Sequence, residues 1–435
     1  MNKWLNMYQE KLTSPEKIAE KIQSNTICAS PIAAGEAFAI PEAIAERALR
    51  ENLSGIKHCS LLSLVPKKIW DPALDGKFNH LTLYISSTNP RKALWEKRAE
   101  FVPSFYYQVP RMWEEYIEPE VFYAVVSPMD EHGYFSFGLS VSTCITLKKI
   151  AKRIYLEVNE NMPRTHGNSF IHISEVDAIC EYTRPLPELP ASEISKDEIT
   201  IGNYIAELVP NEATIQLGIG GIPNAAAQAL INKSDLGIHT ELFTESMIDL
   251  IEASVVTNAK KNIHTGKSVA TLALGTQRMY EFLNDNVGFE FHPVDYVNDP
   301  NIIGKHDNFV SINSCIEVDL FGQVCSESIG TKHYSGVGGQ VDYVRGANNS
   351  KGGKSIISML STAKNESISK IKLTLTEGSI VTTSRNEVDY IATEYGIAKL
   401  KGKSTRERAQ ELINIAHPKF REELTFQAKK INLLW

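Results

Sequence analysis

The stretch Thr214-Ile-Gln-Leu-Gly-Ile-Gly-Gly-Ile-Pro-Asn-Ala-Ala-Ala-Gln-Ala-Leu230 constrains the fold of this chain more than any other. Thr214 to Leu217 is a short β-type run that ends in a glycine cluster, Gly218-Ile-Gly-Gly221. Pro223 then opens an alanine-rich helix, a position where a fixed φ and a missing N–H cost nothing. Strand, glycine turn, helix is how an α/β fold presents backbone N–H groups to an anion or a developing oxyanion. The spacing is not the dinucleotide fingerprint, because Pro223 stands where the second half of G-x-G-x-x-G would run. Taken alone, such a loop is more often plain turn chemistry than a site, so its neighbours must decide.

At 435 residues the chain is too long for one comfortable core, and two domains or three are expected. Hydrophobic content of 43% with 22% charged residues describes a soluble globular protein. A net charge of −7 and a pI near 5.9 argue against a nucleic-acid partner. The six cysteines are scattered, with no C-x-x-C pair and no His cluster at ligand spacing, and read as reduced core thiols of a cytoplasmic protein. The first ten residues lack the apolar core of a signal peptide, and no run is long enough to span a bilayer, so no membrane partner is expected.

Ser14-Pro15-Glu16 starts a helix, and Ile27-Cys-Ala-Ser-Pro31 reads as a strand entering the loop Ala33 to Glu36, with a second helix through Pro41 to Leu49. Strands are expected over 60–66, 81–85 and, nearly continuously apolar, over Val121 to Val126. Apolar strands alternating with helical stretches predict a mainly parallel sheet covered on both faces. The polar turn Ser127-Pro-Met-Asp-Glu-His-Gly-Tyr134 follows a strand's carboxyl end, where open α/β sheets bind ligands. Asp130, Glu131 and His132 there are candidate acid/base residues or simply turn residues, and His166 and His172 read as structural. Pro185, Pro187 and Pro190 make a stiff connector, which places a boundary near 187: an N-terminal α/β domain over 1–187 and a C-terminal one over 188–435. The second half continues with a helix from Ile194 to Leu208, the glycine loop, a strand over Val269 to Leu274 and a helix over Gln277 to Leu283. A second glycine cluster follows at Ser335-Gly-Val-Gly-Gly339, and a final helix from Thr405 breaks at His417-Pro418.

Two glycine clusters with a carboxylate between them suggest acyl chemistry. A glutamate of ordinary pKa, about 4.3, is ionised at neutral pH and can attack a thioester without a general base. It needs donors for the tetrahedral oxyanion, which glycine-loop N–H groups supply. Residue reasoning leaves Glu241, Glu245, Glu317 and Glu394 all eligible.

Over almost its whole length the chain resembles the family I acyl-CoA:carboxylate CoA-transferases, in the group of 4-hydroxybutyrate, butyrate and acetate CoA-transferases and acetyl-CoA hydrolases. The resemblance rests on Ser127 to Gly138, Gln216 to Ala225, Gly237-Ile-His-Thr-Glu241, Ile316 to Val324, Ser335 to Gly346 and Val388 to Gly396. It implies two open, Rossmann-like α/β domains of CoA-transferase type with the active site in the cleft between them. It also implies that Glu241, in a His-(Ser/Thr)-Glu motif, is a nucleophile that passes through an acyl-glutamyl anhydride and a glutamyl-CoA thioester. Ile219 matches one backbone oxyanion donor, and the Gly338-Gly339 pair matches the region of the second. Gln216, Leu217, Gly218, Ile219, Gly220, Gly336, Gly338 and Gly339 fall where the family holds CoA, as do Asn313 and Lys364. CoA is implied as a substrate, with no metal or redox cofactor, and homo-oligomers are implied at the family level. One departure stands out: Glu245-Ser246 replaces the Asp-Gly pair expected after Thr244. The aromatic run Phe101 to Pro110 is a candidate acyl-pocket wall, or a core strand and loop. The alternatives are an acyl-CoA hydrolase and a non-catalytic acyl-CoA binding module; a dinucleotide-dependent oxidoreductase fits less well because its glycine spacing is absent.

Overall fold

A computed structural model describes residues 3–64, 67–85, 88–190 and 193–435. Val65 and Pro66, within the strand expected over 60–66, lie outside the described residues; the strand itself runs earlier, over Ile56–Ser60. The chain forms two compact units, Met1–Leu189 with Val269–Tyr296, and Pro190–Ser268 with Val297–Trp435. The second unit is therefore discontinuous. The segment 269–296 joins the first unit with no proline run or shift in composition to mark its ends.

The first unit is built on a seven-stranded sheet in the order Ala99–Phe101, Phe78–Thr82, Ile56–Ser60, Ile27–Ala29, Val121–Val126, Arg153–Val158, Ala178–Glu181. Every neighbouring pair is parallel. Val121–Val126 is buried at all six positions, as a strand covered on both faces must be. The winding direction reverses between Ile27–Ala29 and Val121–Val126, so the turn that begins at Ser127 leaves the sheet at its topological switch point.

In the second unit the order Gly237–Phe243, Thr214–Leu217, Val310–Ser314, Lys354–Ser358, Tyr390–Thr393 is parallel where registers are defined from Thr214 onward, and Gly396–Lys399 adds an antiparallel edge. Here the winding reverses between Thr214–Leu217 and Val310–Ser314. The glycine loop Gly218–Gly220 emerges at that reversal. Behind it, helix Lys196–Leu208 packs on helix Gly221–Ala229, both with apolar inner faces, and the first is closed by a capping box between Ser195 and Glu198.

The carboxyl-terminal reading needs correction. Helix Thr405–Asn414 does end before His417-Pro418, but a second helix, Pro418–Lys430, begins there. His417 caps it by accepting the Lys419 N–H, and Pro418 occupies the first turn, where a missing N–H is harmless. The six cysteines are all free and buried, and no described helix is long and apolar enough to cross a membrane.

Candidate active site

Strand Thr214–Leu217 is buried throughout and ends because Gly220 adopts φ 126°, a conformation side chains resist. The Gly218 N–H donates to the Ile312 carbonyl (2.8 Å), which ties the loop to the next strand. Just before it, Gln216 and Asn313 exchange amide hydrogen bonds at 3.2 and 3.1 Å, both side chains buried. Ile219 at the loop tip is half exposed.

Glu241 lies on the adjacent strand, Gly237–Phe243. Thr214 pairs with Gly237 and Ile215 with Ile238, and continuing that register sets Glu241 level with Gly218. From the other side comes the second glycine cluster, in which Gly338 has φ 54° and Gly339 precedes helix Gln340–Asn349. A Cβ on Gly339 would lie 1.9 Å from the Glu241 carboxylate oxygen, so glycine is required by proximity rather than by φ. Helix start and carboxylate thus face each other, with the partial positive charge of the helix end favouring the anion.

The Asn298 amide donates to Glu241 Oε2 at 2.7 Å and lies 3.3 Å from Asp342 Oδ2. Burial pushes the Glu241 carboxyl up to about 7, although the Asn298 amide and the Gly339 N–H both favour its charged form. This corrects the expectation of an ordinary, fully ionised glutamate. The carboxyl is buried and loses more from leaving water than its two donors return.

The other eligible glutamates are occupied. Glu317 is paired with Lys372 (2.8 Å) and accepts from Thr376 and Ser379. Glu394 accepts the Ser361 N–H (2.8 Å) and hydroxyl. Glu245 opens helix Glu245–Glu252, and Ser246 reaches Asn224 at 3.4 Å, so the departure after Thr244 serves as a helix start. In the first unit, Asp130 accepts the His132 and Tyr134 N–H groups and pairs with Arg164, which is turn chemistry. His166 meets Asp285 (2.9 Å), and His172 caps a short helical turn. In the run Phe101 to Pro110, Tyr106 is buried and shares a 2.6 Å hydrogen bond with Ser142.

The structure thus brings Glu241 together with Gly339 and aligns it with Gly218. Gln216 and Asn313 lie beneath the first loop with their amides turned to each other. Lys364 is exposed at the tip of the hairpin Thr362–Ala363/Ile368–Ser369, in a run of three left-handed residues. Sequence reasoning missed Asn298, 57 residues from Glu241. Its only local signal is Asp299-Pro300, a helix start that marks a turn without naming what the turn presents.

Residues 2–189 match the acetyl-CoA hydrolase/transferase N-terminal domain, and residues 275–428 match the C-terminal domain of the same name. The chain belongs to the acetyl-CoA hydrolase/transferase family. That is the family its motifs resemble. It is 48% identical to the succinyl-CoA:cyclohexane-1-carboxylate CoA transferase of Geobacter metallireducens, over 98% of this chain and 96% of the relative. It is 45% identical to the 4-hydroxybutyrate coenzyme A transferase of Clostridium kluyveri, over 98% and 99%. Among solved structures, RipA from Yersinia pestis superposes with a TM-score of 0.93 at 40% identity, covering 99% of each chain. Family membership is thus carried by the whole chain and not by one motif.

Proposed function

We propose that this protein transfers CoA between a short-chain acyl-CoA and a small carboxylate, with Glu241 as the nucleophile. The observation that carries the reading is the setting of Glu241: a buried carboxyl level with the glycine loop, held by one amide and one helix-start N–H. A carboxyl with pKa near 7 is a stronger base, and so a stronger nucleophile, than an ordinary one, and is still substantially ionised at neutral pH. Names of full-length relatives as CoA transferases support the same chemistry.

In this reading a Glu241 oxygen attacks the thioester carbonyl, the C–S bond breaks and CoA thiolate leaves, giving an acyl-glutamyl anhydride. The thiolate then attacks the Glu241 carbonyl carbon and expels the first carboxylate, leaving a glutamyl-CoA thioester. An incoming carboxylate runs both steps in reverse. The Ile219 N–H and the Gly338-Gly339 backbone would take the oxyanions, donors each worth about 3 kcal/mol. Gln216 to Gly220, Gly336 to Gly339, Asn313 and Lys364 would bind or support CoA, which takes part as a substrate.

The test is incubation with acetyl-, butyryl-, 4-hydroxybutyryl- and succinyl-CoA without acceptor, followed by peptide mass spectrometry. CoA attached to the peptide carrying Glu241, absent in Glu241→Ala and discharged by carboxylate, is the expected outcome. Steady thiol release without an adduct would replace transfer by hydrolysis, and binding without either would leave only a binding module.

A further inference from the structure

Two residues before Glu241 on the same strand, His239 is fully buried, its Nε2 2.7 Å from the Val297 carbonyl oxygen. A carbonyl only accepts, so Nε2 carries the hydrogen and Nδ1 is left as an acceptor. Facing Nδ1 at 3.3 Å is Nε2 of His306, equally buried, whose own Nδ1 has no hydrogen-bond partner among the described residues. Tyr343 donates its hydroxyl to Asn298 Oδ1 (3.3 Å), which turns the Asn298 NH₂ toward Glu241. Phe309 stacks on both His306 and Tyr343 and seats the group. Val297 is also where the chain re-enters the second unit after the 269–296 excursion. The amide that holds the carboxylate therefore sits at the first residues of a returning segment, where nothing in the local sequence would fix it.

We propose that His239, backed by His306 and joined by Tyr343, is a positioning device that locks Val297-Asn298 so that the Asn298 amide stays on Glu241. The inference rests on the reading of Glu241 as nucleophile. Both imidazoles remain neutral: burial, then the neighbouring His306 and Lys261, push His239 well down, and burial with Lys261 and His264 pushes His306 to about 3. The remaining ionisable neighbours are Asp342, on the Asn298 amide, and Glu241 itself. The device is thus a fixed one with no switch at physiological pH.

The variants are His239→Leu, which cannot donate; His239→Gln, whose amide can; and Tyr343→Phe, which removes one hydroxyl from an unchanged ring. The first-order rate of glutamyl-CoA formation is expected to fall roughly 10- to 100-fold in His239→Leu, from misplacement of the reacting group. The acyl-CoA concentration dependence should stay within about twofold, with His239→Gln recovering most of the rate and Tyr343→Phe losing less than His239→Leu. In an Asn298→Ala background His239→Leu should cost nothing further, because both changes remove one interaction. Additive losses, or a Gln variant no better than Leu in equally folded proteins, would overturn the proposal. A second readout needs no turnover: the ¹³C titration of the Glu241 carboxyl should move up in His239→Leu and Asn298→Ala alike and not in His239→Gln. If the wild-type protein forms no adduct, the nucleophile reading fails, and this titration alone decides whether the device exists.

Discussion

Glu157 in the first unit and Glu241 in the second each sit near the carboxyl end of a parallel strand and each face the start of a helix. Glu157 is fully buried and accepts three backbone N–H groups, from Phe38 (3.1 Å), Ala39 (2.8 Å) and Ile40 (3.3 Å), where helix Ala39–Arg50 begins. Glu241 has one amide and one helix-start N–H on a buried carboxyl. Burial raises the pKa of both. The difference lies in saturation. A carboxylate with its lone pairs committed to a helix start is a cap, whereas one with lone pairs to spare is able to react.

The sharpest way to break this comparison is to neutralise each glutamate in turn. Glu241→Gln should lower CoA transfer by more than about 10³-fold with the fold intact, as loss of a nucleophile does. Glu157→Gln should instead cost about 1–3 kcal/mol of stability, since the amide nitrogen would meet the Phe38 N–H that Oε1 now accepts at 3.1 Å. Its activity should follow the folded fraction. Urea unfolding and transfer assays on both variants separate the two outcomes; equal losses of activity at equal stability would erase the distinction.

Crowding the reactive carboxylate comes next. Gly339→Ala places a methyl 1.9 Å from Glu241 Oε2 while leaving an ordinary φ of −91°. The backbone is not strained, so the cost is the displacement of Glu241 and of the Asn298 amide nitrogen, 2.5 Å from the new methyl, about 1–3 kcal/mol of stability. Adduct formation should fall by about 10²-fold through displacement of Glu241. A fully active Gly339→Ala variant would remove the helix start from the site.

Stability against pH sharpens the comparison further. Unfolded, Glu241 releases its proton near the ordinary value, about 4.3, whereas the folded state holds it to about 7. Between these values the native state binds more protons, so stability falls as pH rises from about 4 to about 7 and is level above that. Glu241→Gln should remove that slope. It should match wild type at pH 4 and exceed it at pH 8 by up to about 3 kcal/mol, in denaturant titrations at the two pH values. The rate of adduct formation in wild type should rise across neutral pH, with its midpoint near 7.

The smallest effect concerns the loop beneath. Gln216→Ala leaves the buried Asn313 amide without its partner and should cost about 1–2 kcal/mol. Adduct formation should fall only through looser seating of Gly218. A change in CoA affinity with no loss of stability would instead assign Gln216 to direct contact.

Much of this was legible beforehand, for local reasons. Pro223 after a glycine cluster, and the unbroken apolar run of Val121–Val126, announce strand, turn and helix because sterics and periodicity act within a few residues. The sequence marks helix Gln277–Leu283 to the residue. It does not mark the final helix, because His417-Pro418 reads equally as the end of one helix and the start of another. The family, too, was written in the motifs. The excursion 269–296 was not, since its strand and helix would suit either unit.

The sequence by itself determined the elements, the two glycine loops and the motif that points to Glu241, because each depends on neighbours along the chain. Only the tertiary structure decided that Glu241 would be raised toward 7, that Gly339 would stand against it, and that Asn298 would be its donor. These depend on what water is excluded and on which distant segments meet, and the segment that brings Asn298 returns to the unit one residue earlier.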